Sequence, residues 1–322
     1  MYRYVLKRLL QIIPVILGVS FIIYMAMDLA PGDIIALLTP DNATPEQIEA
    51  IRHAYGYDRS VFYRYFLYMK DLLTGDLGVS YINGQSVWGV FLERLPATVE
   101  LAIGSLVVSS VIAIPLGIFS ANNNGTWKDN ISMTAAMIGL SMPVFWLGLL
   151  MIILFSQNLG WFPSSGNTMG LKSLVLPAVT CGIYNTAVLT RTTRSSMLDV
   201  ARQDYLDTAR AKGVSERNVT LKHALKNALI PIITVAGTQV ATSLGGSVLT
   251  ETVFAWPGIG KTIVDAVNQR DVPMVTGCIV MSTILISLVL LLVDLLYAMV
   301  DPRIKAQYEA SSKKKKKVKS DG

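Results

Sequence analysis

Long apolar runs separated by polar stretches constrain this chain more than any other feature. A helix that crosses the hydrocarbon core needs about twenty predominantly apolar residues. Runs of that kind lie near 9–29, 97–119, 131–155, 173–189, 228–249 and 275–299, the fourth being the least apolar. With 52% hydrophobic against 16% charged residues, the chain reads as an all-α integral membrane protein with six transmembrane helices. Arg3, Lys7 and Arg8 precede the first run as they would in a signal peptide. The run is too long for an h-region, however, and Asp28 stands where cleavage after Ala30 would need a small residue, so it is expected to stay as an uncleaved first helix. The two cysteines, Cys181 and Cys278, lie in or beside predicted spans, and no disulfide framework is expected.

Charge gives the orientation. With the N-terminus inside, the inside segments hold Arg3, Lys7, Arg8, Lys128, the basic residues between Arg191 and Lys226, and those from Arg303 to Lys319. The outside segments hold only Arg52, Arg59, Arg64, Lys70, Arg94, Lys172, Lys261 and Arg270 out of a total of 28 Lys and Arg. The positive-inside rule therefore puts both N- and C-termini in the cytoplasm. The expected organisation is an N-terminal cytoplasmic segment and first transmembrane helix (1–29), an extracytoplasmic region (30–96), a five-helix core (97–300), and a Lys-rich cytoplasmic tail (301–322). The core carries a cytoplasmic loop at 191–227 and an extracytoplasmic loop at 251–274. Lys313 to Lys317 cannot bury a core and read as a solvated tail attracted to anionic lipid.

Within 30–96, Thr44 and Gln47 form a capping-box pattern ahead of a helix over 45–55, a second, aromatic-rich helix is expected over 60–73, and Gly75, Gly78 and Gly84 mark turns. In the loop 191–227 the pattern predicts two amphipathic helices. The first is capped by Ser196 and stopped by Gly213; the second starts at Ser215 and carries Leu221, Leu225 and Leu229 on one face, with Pro231 near the return to the membrane.

Catalytic and metal chemistry find no support. Gly260, Lys261 and Thr262 copy the end of a phosphate-binding loop, but the glycine needed earlier is Ala255 and Pro257 removes a backbone donor. His53 and His223 fall on opposite sides of the membrane with no ligand partner nearby, and the glycine-flanked serine or aspartate patterns of intramembrane proteases are absent. Asp28, Glu100 and Asp294 lie near span ends, where structural roles are expected rather than a proton relay. Pro115 and Pro143, with Gly104, Gly117, Gly139 and Gly148, suggest kinks and close helix approach.

The stretch 204–231, DYLDTARAKGVSERNVTLKHALKNALIP, resembles the cytoplasmic loop of ATP-binding cassette importer permeases. The pattern's acidic residue, two alanines and glycine fall on Asp207, Thr208, Ala209 and Gly213, with Thr208 departing from it. Its Ile-x-Leu-Pro ending is displaced to Leu229, Ile230 and Pro231. PGD at 31–33, GDLG at 75–78, ERLPATVEL at 93–101, ETVFAWPGIG at 251–260 and DPR at 301–303 are similar to the first permease subunit of the dipeptide, oligopeptide and nickel branch; GYDRS at 56–60 departs slightly.

The resemblance implies a type I importer permease fold in a bacterial cell membrane, importing dipeptides or oligopeptides. Partners would be a homologous second permease, two cytoplasmic ATPase subunits and an extracytoplasmic binding protein, with membrane lipid around them and no nucleic acid. ATP and magnesium would be bound by the ATPase subunits, this chain holding no cofactor and being no enzyme. Asp204, Asp207, Thr208, Ala209, Arg210, Ala211, Lys212 and Gly213 would form the ATPase-coupling helix, its small residues fitting an ATPase groove. Trp256, Pro257 and Gly258 would be docking candidates for the binding protein. Nickel, glutathione or another small solute is the alternative cargo, and a non-transporting membrane scaffold the alternative function.

Overall fold

The computed structural model describes residues 2–30, 34–40 and 42–300. The PGD at 31–33, the DPR at 301–303 and the Lys-rich tail lie outside the described residues.

The chain opens with α1 (Tyr2–Leu29), which passes through Pro14 without interruption. Short helices follow: α2 (Ile34–Leu38), α3 (Pro45–Ala54) and α4 (Val61–Leu73). The Thr44–Gln47 capping box forms with both of its hydrogen bonds, and Ser60 caps α4. Next comes α5 (Val87–Asn122), 36 residues long with Pro96 and Pro115 inside it. It starts well before the predicted membrane boundary at Ala97, so the end of the 30–96 region is already the first turns of a span.

The third predicted span is not straight. It divides into α6 (Trp127–Ser141) and α7 (Val144–Met151), bent by 94°, with α7 continuing into π-helical turns over Ile152–Asn158. Pro143 causes the break: it supplies no amide, and its ring drives Met142 out of the helical region to φ −85°, ψ 134°.

The fourth span, the least apolar in sequence, becomes α8 (Leu171–Ala201) at the centre of the bundle. Its mean hydropathy is 1.4 against 2.7 for α14, yet 61% of its membrane-length window is buried against 17% there. A helix surrounded by other helices need not be as greasy as one facing lipid. Glycine lets α5 and α8 meet closely, since a β-carbon on Gly117 would lie 2.6 Å from Thr193 Cβ.

α8 does not stop near Leu189 but runs on to Ala201 through Ser196, which is a buried interior residue and not a cap. Then come α9 (Asp204–Ala211), α10 (Glu216–Asn218), π-helical turns over Val219–Ala224 and α11 (Leu225–Leu244), the last three forming one continuous helix, Glu216–Leu244. The remainder is α12 (Val248–Val253), α13 (Ile259–Asn268) and α14 (Val272–Val300).

α1 lies outside the bundle against α14, where Arg8 pairs with Asp294 at 2.7 Å; Asp28 pairs with Arg64 of α4 at 2.6 Å. Among the described residues the core falls into three clusters. One is around Met27, Val87, Phe91, Ile259 and Val275, a middle one around Leu101, Ala178 and Trp256, and a third around Leu189, Met197, Leu206, Val219 and Ile232.

Candidate functional site

α9 hangs between two long helices on short links. Arg202 and Gln203 connect it to α8, and Lys212 to Ser215 lead into α10. Its sequence suits so short a helix: Asp204 and Asp207 stand in the first turn and Arg210 in the last, each complementing the helix dipole. Gly213 closes it at φ +78°, where a side chain would be strained. The Gly213 amide donates to the Arg210 carbonyl at 2.9 Å and the Val214 amide to the Ala209 carbonyl at 3.2 Å, the double bond of a Schellman stop.

One apolar side chain anchors it. Leu206 is 1% exposed in the cluster with Leu189, Met197 and Val219. Polar ties add to this: Asn227 Nδ2 donates to the Tyr205 hydroxyl at 2.7 Å, and Arg210 bridges Asp207 at 2.8 Å and Glu216 at 2.9 Å, joining α9 to α10. Asp204, Asp207, Thr208, Ala211, Lys212 and Gly213 stay exposed. Ala209, one turn from Leu206, is half-buried and packs against the same cluster.

Beside α9, Arg194 of α8 grips the buried Asp129 of α6 through Nε at 2.8 Å and Nη2 at 2.7 Å. The Ser120 hydroxyl and the Gly125 amide also donate to Asp129, and Arg194 donates to Asn124 Oδ1 at 2.8 Å. Sequence reasoning missed this knot, which fixes the α5–α6 turn to the end of α8.

The ETVFAWPGIG stretch builds a second structure at the opposite end. Glu251 is fully buried; its Oε1 accepts from the Thr98 hydroxyl at 3.2 Å and its Oε2 from the Lys261 amide at 2.9 Å. Thr98 Oγ1 in turn accepts from the Ile259 amide at 2.8 Å, so the orphan amides opening α13 are satisfied by a side chain from α5 and a carboxylate from α12. Burial pushes the Glu251 carboxyl above its usual range, against the amides of Lys261 and Gly260 and the Thr98 hydroxyl that pull it down. Glycine lets the backbone pass close by, because a β-carbon on Gly258 would sit 2.5 Å from the Glu251 carboxyl carbon and displace that carboxylate from its hydrogen bonds.

Trp256 completes the clamp. Its indole N–H donates to the Ala97 carbonyl at 2.7 Å and the side chain is 1% exposed. Trp256 and Gly258 are buried in this chain, Pro257 is partly exposed and Ala255 exposed. Pro257 lines a cavity of about 250 Å³ with Arg94, Gln85, Lys261 and Asp265. Among the described residues no three His, Cys, Asp or Glu side chains gather as a metal site.

Membrane-length helices packed into a bundle, with a short charged helix slung between two of them, define a multi-pass membrane protein. The chain belongs to the binding-protein-dependent transport system inner membrane components, matching that family over residues 113–306 and the family of its N-terminal region over residues 1–102. It is 40% identical to the dipeptide transport system permease protein DppB of Alkalihalophilus pseudofirmus, covering 95% of this chain and 100% of the relative. It is 39% identical to the glutathione transport system permease protein GsiC of Escherichia coli, over 95% and 99% respectively.

The fold is similar to that in an inward-facing structure of the MetNI methionine ABC transporter, with TM-score 0.56 and 19% identity over 66% of this chain and 97% of that one. The chain is thus a type I ABC importer permease in a bacterial inner membrane, part of a complex whose ATPase activity resides in other subunits.

Proposed function

We propose that this chain is the first of two homologous permease subunits in an importer of dipeptides or short oligopeptides. Two cytoplasmic ATPases would bind ATP and magnesium, and an extracytoplasmic binding protein would deliver cargo. The observation that carries the reading is α9: anchored by Leu206 on its inner side, stopped at Gly213, and exposed along Asp204, Asp207, Thr208, Ala211 and Lys212. A helix held at both ends on short links passes a push from an ATPase directly into α8 and α10–α11. ATP-driven closure of the ATPases would then switch the path between the permeases from one side of the membrane to the other, a rigid-body alternation.

Both ends in the cytoplasm, as the Lys and Arg distribution requires, put α9 on the ATPase side. Peptide cargo rests on the likeness to dipeptide permeases, and glutathione is the second reading because GsiC is about as similar.

The test is uptake of radiolabelled dipeptide by proteoliposomes holding the complete complex and its binding protein. Gly213→Val, which puts a β-branched residue at φ +78°, is expected to abolish uptake while the complex still assembles. No uptake of dipeptide or glutathione by the wild-type complex would defeat the reading, and unimpaired uptake by Gly213→Val would remove α9 from it.

A further inference from the structure

α4 stands in the region expected to be extracytoplasmic, yet it does not have the surface of a helix in water. Its contacts with α1 sort by edge. On one edge Arg64 pairs with Asp28 at 2.6 Å and Tyr68 meets Tyr24, toward the Leu29 end of α1. On the other edge Phe62 stacks on Phe21, the Tyr65 hydroxyl donates to the Leu17 carbonyl at 3.1 Å, and the Ser20 hydroxyl points to Met69 Sδ at 3.5 Å. The axis of α4 therefore crosses α1, with one edge nearer the middle of the membrane than the other.

Leu17, Ser20 and Phe21 belong to the membrane-length part of α1, Val5–Leu29. Leu17 lies about 18 Å along the helix from Leu29 at 1.5 Å per residue, deeper than a headgroup layer of roughly 5–8 Å. The deep edge continues outward as Phe62, Phe66, Met69 and Leu73, spaced at helical intervals. Phe62, Phe66 and Leu73 are 65%, 68% and 85% exposed, and they adjoin the exposed apolar surface of α1 at Leu17, Phe21 and Ile22. The shallow edge carries Ser60, Arg64 and Asp71 with Leu67 between them, and Arg64 also lies over the Tyr57 ring at 4.2 Å. An apolar deep edge and a polar shallow one are the pattern of a helix lying in a membrane interface.

We propose that α4 lies in the plane of the outer leaflet across α1, with Phe62, Phe66 and Leu73 among lipid acyl chains and the Arg64–Asp28 pair at headgroup level. The apolar surface of α1, continuous with that edge, makes lipid its occupant. Cargo identity does not enter, so the proposal stands or falls apart from peptide import. It also withdraws α4 from the surface open to a binding protein.

The experiment places a bimane fluorophore on Phe66→Cys, and separately on Leu73→Cys, in the complete complex reconstituted in phosphatidylethanolamine–phosphatidylglycerol vesicles. The native cysteines are both buried. Ile22→Cys on α1 serves as lipid reference and Glu49→Cys on α3, whose side chain is 70% exposed, as aqueous reference. The expected result is loss of fluorescence to doxyl-labelled lipid as large as at Ile22→Cys, with protection from aqueous iodide. Quenching by iodide to the extent seen at Glu49→Cys would overturn the proposal. Protection from both quenchers would overturn it too, by showing that protein, such as the second permease, covers α4.

Discussion

The two ends of the bundle are tied by opposite means. At the cytoplasmic end α9 rests on one buried leucine, a glycine stop and exposed ion pairs, while the Glu251–Thr98–Trp256 clamp at the other end is almost wholly buried and built from polar groups that satisfy one another. Local stability follows the depth of such ties, and elements that must move are drawn from the weakly tied end. The contrast separates a lightly tied piece from a firmly tied one.

The largest effect that would break the comparison is at the clamp. Glu251→Ala leaves buried amides and the Thr98 hydroxyl unpaired and is expected to cost about 3 kcal/mol of global stability, measured by denaturant unfolding in detergent micelles. Next, Leu206→Ala removes a buried side chain at a cost of about 2–3 kcal/mol, confined to α9. Uptake should fall and hydrogen exchange in α9 rise, with the global midpoint unchanged; a lowered midpoint would mean that both ends are held alike.

A third test uses pH. The Glu251 carboxyl is raised in the folded chain, so the fold binds its proton more tightly than the unfolded chain does. Stability should be highest below the ordinary carboxylate range and decline as pH rises through the elevated value, and Glu251→Gln should flatten that slope. The smallest effect belongs to Arg210→Ala, whose exposed pairs should leave the unfolding midpoint unmoved.

What could be read from the sequence was local or periodic. The apolar runs, the Thr44–Gln47 box, the aromatic-rich helix that follows it and the helix stop at Gly213 all depend on residues a few positions apart. The missed parts depend on distant partners. Glu251 meets Thr98 across 153 positions and Asp129 meets Arg194 across 65, so neither carboxylate is marked by its neighbours. Trp256 is enclosed by the Ala97 carbonyl and the middle cluster, partners that its own neighbours in sequence do not announce. The 94° bend was half legible: Pro143 signalled a kink, but its angle depends on how α7 packs against α8 and α12. In the same way, α8 looked the weakest span because hydropathy registers lipid contact, and α8 has little.

The length of α8 turns it into a lever. Its 31 residues make a rod of about 46 Å, with α9 hinged close to its inner end. Cys181, about 30 Å from that end, holds Thr250 at 3.1 Å, one residue before Glu251. Were α8 to tilt by about 5° about its cytoplasmic end, Cys181 would swing by about 2.6 Å, close to the span of a hydrogen bond. If α9 receives the ATPase stroke proposed above, a small displacement there would reach Thr250 with an amplitude comparable to the Cys181–Thr250 contact that adjoins the outer clamp.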